Sequence, residues 1–95
     1  MNISTHVNTV TIEGNIKSIN DYQEIKNVIE EVIKNNKSVI INIKDSISII
    51  SSVIGYLNKL VLKDKIDLHI NVGNAGLMEL FDDLNLSSLF NVKKV

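Results

Sequence analysis

The chain has 95 residues, 44% of them apolar, and a formal net charge of −1, which suits one small domain with a modest core and gives no long-range field of either sign. It contains no cysteine, so disulfides, thiolate metal sites and thiol catalysis are excluded. Ten lysines and no arginine stand against eleven acids, with no basic block and few aromatics, so nucleic acid is not an expected partner.

The N-terminus, Met1-Asn2-Ile3-Ser4-Thr5, lacks the charged start and apolar block of a secretory signal, and no apolar run approaches the ~20 residues of a membrane span. A cytoplasmic location without membrane insertion is the expectation. Val7 to Glu13 alternates Val10 and Ile12 against Thr9, Thr11 and Glu13, the period-two pattern of a half-buried strand. Met1 to Thr5 is expected to pair with it through the turn near His6 and Asn8. After Gly14-Asn15, Ser18 or Asn20 caps a helix over about Asp21 to Asn35. Its inward face is Tyr22, Ile25, Ile29, Val32 and Ile33, and its charged residues fall largely on the other side.

Val39 to Ile43 is a short, mainly β-branched run and reads as a central strand covered on both faces. Lys44-Asp45-Ser46 then leads into Ile47 to Leu57, where a strand-like run gives way to two adjacent serines and to helical spacing. Ser51 or Ser52 is expected to cap this second helix, which runs to about Lys63 with Ile54, Leu57, Leu60 and Val61 inward. A hydroxyl there also sits at the positive end of the helix dipole, where a phosphate would be stabilised. Ile66 to Val72 alternates again and reads as a strand with one wet face, near an edge.

Gly73-Asn74-Ala75-Gly76 introduces a third helix, Leu77 to Leu84. Its inward face is Leu77, Leu80, Phe81 and Leu84, and Asn85 suits a left-handed cap. Leu86, Leu89 and Phe90 form a last apolar turn before a lysine tail. Helical crossovers between successive strands require parallel pairing. The expected class is therefore α/β, a single domain over 1–95, with a mixed, mostly parallel sheet of four to five strands and flanking helices.

No catalytic constellation emerges. His6 and His69 stand 63 positions apart with no carboxylate motif beside either, so no metal site and no catalytic base is assigned. The serine pair lacks a G-x-S-x-G context. Gly73–Gly76 lies where phosphate loops lie, yet it matches neither G-x-G-x-x-G nor the P-loop. Glu79, Asp82 and Asp83 form a small acidic patch that reads as a solvated face. No cofactor is expected.

In its order of elements the chain resembles the STAS domain family, the fold shared by bacterial anti-sigma factor antagonists and the cytoplasmic tails of sulphate transporters. The resemblance covers nearly the whole chain. A strand ends in Gly14, a buried strand closes in Asn42-Ile43 where the family has Asp-Leu, and the junction Ile50-Ser51-Ser52-Val53-Ile54-Gly55-Tyr56-Leu57 is similar to Asp-Ser-Ser-Gly-Leu-Gly-x-Leu. Asn71-Val72, Leu84-Asn85-Leu86 and Leu89-Phe90 look like the family's last strand, helix and close. Ile50 and Val53 replace the family's Asp and Gly.

The resemblance implies a non-enzymatic regulatory module that binds an anti-sigma factor with serine kinase activity. It is released by phosphorylation, and a phosphatase restores the hydroxyl. The implied acceptor is Ser51 or, in a register shifted by one, Ser52, and the implied partner surface is Ser51, Ser52, Ile54, Gly55 and Tyr56. Two alternatives stay open. One is a STAS subunit docking on the ATPase of a lipid ABC transporter without phosphorylation, which the replaced Asp and Gly favour. The other is a small-ligand or nucleotide sensor using the Gly73–Gly76 turn.

Overall fold

The computed structural model describes residues 1–95. Five strands form one sheet in the order β1-β2-β3-β4-β5: β1 Asn2–His6, β2 Thr9–Glu13, β3 Ser38–Ile43, β4 Asp67–Val72 and β5 Val92–Lys94. β1 and β2 are antiparallel, and every later pair is parallel. Three helices connect the parallel strands: α1 Ile19–Ile33, α2 Ser51–Leu62 and α3 Ala75–Asp83. The class is α/β, with a mixed, mostly parallel five-stranded sheet.

Successive parallel strands step in one direction across the sheet, so right-handed crossovers put all three helices on the same face. The register agrees. Val10, Ile41 and Ile70 share one row, Ile12, Ile43 and Val72 the next, and all six are buried. The opposite face is uncovered and carries the row Ser4, Thr11, Asn42, Asn71 and Lys93 from one edge to the other. Within it Asn71 Nδ2 donates to Asn42 Oδ1 at 2.9 Å.

This corrects the expectation that β3 is covered on both faces. Ile40 lies on the uncovered face and is only half-buried, between Thr9 and His69 in its row. A β-branched run reads alike whether a helix layer or lateral neighbours shield its second face. β4 is one strand in from the edge, because Val92 of the expected lysine tail pairs with Ile70 to start β5.

Local chemistry sets the helix bounds. Ser18 caps α1 in a reciprocal box: Asp21 N–H donates to Ser18 Oγ, and Ser18 N–H to Asp21 Oδ2, both at 3.2 Å. Asn74 caps α3, its Oδ1 accepting from Leu77 N–H at 3.1 Å. Asn85 takes φ 58° behind α3, as its residue type predicts. Gly73 has no room for a side chain, since a Cβ there would lie 2.0 Å from the Lys44 carbonyl oxygen.

Candidate functional site

The two loops that leave the carboxyl ends of β2 and β3 are stitched together. Gly14 N–H donates to Asp45 Oδ1 at 2.7 Å, and Ile47 N–H to Asn15 Oδ1 at 3.1 Å. Between them Ser46 is fully buried. Its hydroxyl accepts from Ile16 N–H at 3.1 Å and donates to the Ser48 carbonyl at 2.6 Å. One hydroxyl thus satisfies a buried amide of one loop while bending the other, as serine does in turns. Ile16 of one loop and Ile49 of the other are both buried in the core. This platform carries the N-terminus of α2.

The Ser51–Ser52 junction differs from its expected role as a cap. Ile50 is the N-cap residue and makes no side-chain capping bond. Its carbonyl accepts from Val53 and Ile54 N–H at 3.0 and 3.3 Å. Ser51 and Ser52 are therefore the first two helical residues. Their amides have no protein partner, and Ser51 is exposed whereas Ser52 is half-buried. The earlier start is physically reasonable, because the loop's own hydrogen bonds hold the approach and no side-chain cap is needed.

The remaining candidates separate. Gly55 is exposed, and a Cβ added there would meet nothing within 4 Å. Packing inside the domain therefore gives no reason for a glycine. Ile54 is half-buried on the adjoining flank, and Ile47 in the loop is 63% exposed. Tyr56, expected on the partner surface, is instead 5% exposed and lies against α1. Its hydroxyl donates to Glu30 Oε2 at 2.5 Å, and its ring meets Tyr22 edge-on at 6.4 Å. Burial, and secondarily the Glu30 carboxylate, push the phenol well above its ordinary pKa. The inward face of α2 is Val53, Tyr56, Leu57 and Leu60, with Ile54 and Val61 at its border. It is thus rotated from the expected set.

The Gly73–Gly76 turn is accounted for by close packing at Gly73 and the Asn74 cap. The two clefts on the molecule lie elsewhere, one between the β1–β2 hairpin and α1, the other at Asp82, Asn85, Ser87 and Ser88. His69 pairs with Asp67 at 3.2 Å on the uncovered face, and no three potential metal-ligating side chains gather anywhere. No helix is long and apolar enough to cross a membrane. Sequence reading missed Ser46. The signal was the Asp-Ser-x-Ser pattern at a strand end, which favours a hydroxyl-bonded turn.

No family profile, curated protein or solved structure matches this chain. At the start of α2, Ser51 and Gly55 are exposed one turn apart beside the half-buried Ile54, above the braced loop.

Proposed function

We propose that the chain is a non-enzymatic regulatory module that binds a protein partner through the N-terminal turn of α2, in the manner of the anti-sigma factor antagonists it resembles. The observation that carries this reading is Gly55, an exposed mid-helix glycine with open space around it. Such a residue costs roughly 1 kcal/mol of helix propensity relative to Ala, and close approach of a partner's backbone gives that cost a reason. Ser51 is the acceptor in this reading. Its hydroxyl is exposed, and a phosphate on it adds about −1.5 to −2 charges beside the partner, raising the desolvation cost of the contact. Ile54 and Ile47 supply apolar contact area. The partner is a kinase-type ATPase that acts on serine, opposed by a phosphatase, in the cytoplasm. In the second reading the partner is a transporter ATPase and no phosphate is involved. Ile50 favours it, standing as the N-cap where the family has an acid.

A pull-down of tagged protein from extracts of its own cells, with mass spectrometry of bound proteins and of the Ser51–Ser52 peptide, tests this reading. The expected result is a serine-kinase-type ATPase held by the wild type and lost on Ser51→Asp, with phosphate on Ser51. A transporter ATPase retained equally by Ser51→Asp, with no phosphate, selects the second reading. Retention of the same partners after Ser51→Asp and Gly55→Ala together sinks the α2 surface altogether.

A further inference from the structure

The two edges of the sheet are built differently. β5 has three residues, two of them Lys93 and Lys94, and a short lysine-bearing strand is a protected edge. β1 has five residues, Asn2-Ile3-Ser4-Thr5-His6, with no lysine, acid or proline. Its one-to-one register with β2 contains no bulge. It therefore has none of the devices that stop an exposed edge from pairing with another chain.

In an antiparallel ladder, alternate residues turn their N–H and C=O away from the partner strand. The two-residue turn closes on His6 and Thr9, which leaves Ile3 and Thr5 pointing outward. Neither amide is bonded outside the sheet. Beside this edge runs a cleft of about 430 Å³ between the hairpin and α1, with Ile3, Thr5, Val7, Val28 and Val32 in its lining. Val7 at the hairpin tip is 74% exposed and held at φ 56°, a conformation that β-branched residues rarely adopt.

We propose that β1 pairs antiparallel with β1 of a second copy of this chain, forming a two-fold dimer with Ser4 at the axis and one continuous ten-stranded sheet. This register sets Ile3 of each copy opposite Thr5 of the other, so the outward groups exchange four hydrogen bonds. The same pairing places both isoleucines and both Val7 side chains along the clefts. On the uncovered face, His6 of one copy lies opposite Asn2 of the other, in the row that ends at that copy's Glu13. β1 itself carries no lysine or acid, so this register sets no like charges directly opposite each other within the strand pair. Because β5 is protected, pairing stops at two copies and does not continue edge to edge into a filament.

A five-residue strand pair with a cleft beside it is smaller than a standard interface, so the dimer is weak and depends on concentration. Sedimentation equilibrium of the full chain from micromolar to millimolar concentration tests it, together with amide hydrogen exchange. The expected result is a mass that rises to twice that of the chain, with Ile3 and Thr5 amides gaining protection in step. Thr5→Pro removes only outward-facing donors, which proline tolerates at an edge, and should weaken association about thirty-fold through loss of two of the four bonds. Ser4→Lys places two lysines face to face at the axis and should weaken it about five-fold while leaving the buried face untouched. A mass that stays monomeric with unchanged exchange at Ile3 and Thr5 overturns the proposal. So does a dimer insensitive to Ser4→Lys, or growth beyond two copies.

Discussion

Gly55 sets two demands on α2 against each other. Helix propensity asks for a side chain at this exposed position, and nothing in the domain forbids one. Gly55→Ala should therefore raise stability by about 1 kcal/mol in urea denaturation. If the start of α2 is a contact surface, the same substitution lowers affinity for the partner, so stability and binding move in opposite directions. A variant that is more stable and binds equally well removes the glycine from the contact. Ser46 is the opposite kind of residue, wholly enclosed and bonded to both loops. Ser46→Ala leaves the Ile16 amide buried without a partner, at a cost of about 1–3 kcal/mol. Denaturation should show that loss, with faster hydrogen exchange at Ile16. Ser51, which makes no capping bond, can be changed to Ala with little effect on stability.

At the scale of elements, the three helices begin in three different ways. Ser18 before Asp21 follows rules of residue type and spacing and was read as a cap; Asn74 obeys the same rules, yet the expected start at Leu77 falls two residues late, because α3 begins at Ala75. α2 starts at Ser51 because the preceding loop is fixed by residues 30 or so positions away, namely Gly14, Asn15 and Ile16. No local pattern carries that information. The face of α2 was misjudged for a related reason. Val53 and Tyr56 turn inward because α1 supplies Glu30 and Tyr22 to receive Tyr56, and Ile54 is left at the border.

The α1 cap also has a pH signature. The Lys17 N–H chiefly, with the Ser18 N–H beside it, holds the Asp21 carboxyl below its usual value of 3.8. A carboxyl whose pKa is lower in the folded than in the unfolded chain stabilises the fold above the unfolded value, and that contribution is lost as pH falls through the folded value. Asp21→Asn should therefore destabilise the protein at neutral pH, and the difference from wild type should vanish in acid. A difference that persists in strong acid would show that the side chain acts by shape and not by charge.

At the scale of the whole molecule, the alternation of strands and helices was enough to give the class, the parallel crossovers and most of the core, from Val10 and Ile12 to Phe81 and Phe90. Two features of the sheet were not legible. β5 is three residues with one apolar side chain, too short for periodicity to register, and it exists because Val92 finds Ile70 beside it. The uncovered face was hidden because Ile40 makes an unbroken apolar run of Val39 to Ile41 in β3. The candidate site was legible as a place, the strand-to-helix junction at Ser51, and the local turn at Ser46 left a signal in Asp-Ser-x-Ser. The bond from Ser46 to Ile16 and the burial of Tyr56 against α1 were unreadable, since both depend on contacts between distant segments.

The helix-free side of the sheet has a practical corollary. Its side chains point away from both the core and the start of α2, so chemistry can be attached there with little disturbance to either. In a chain without cysteine, Thr11→Cys would supply a single thiol in the middle of that surface. A fluorophore on it would remain beyond reach of a molecule seated on α2, yet ride on the same rigid sheet. Binding would then be read from tumbling alone, through anisotropy, without labelling the contact itself.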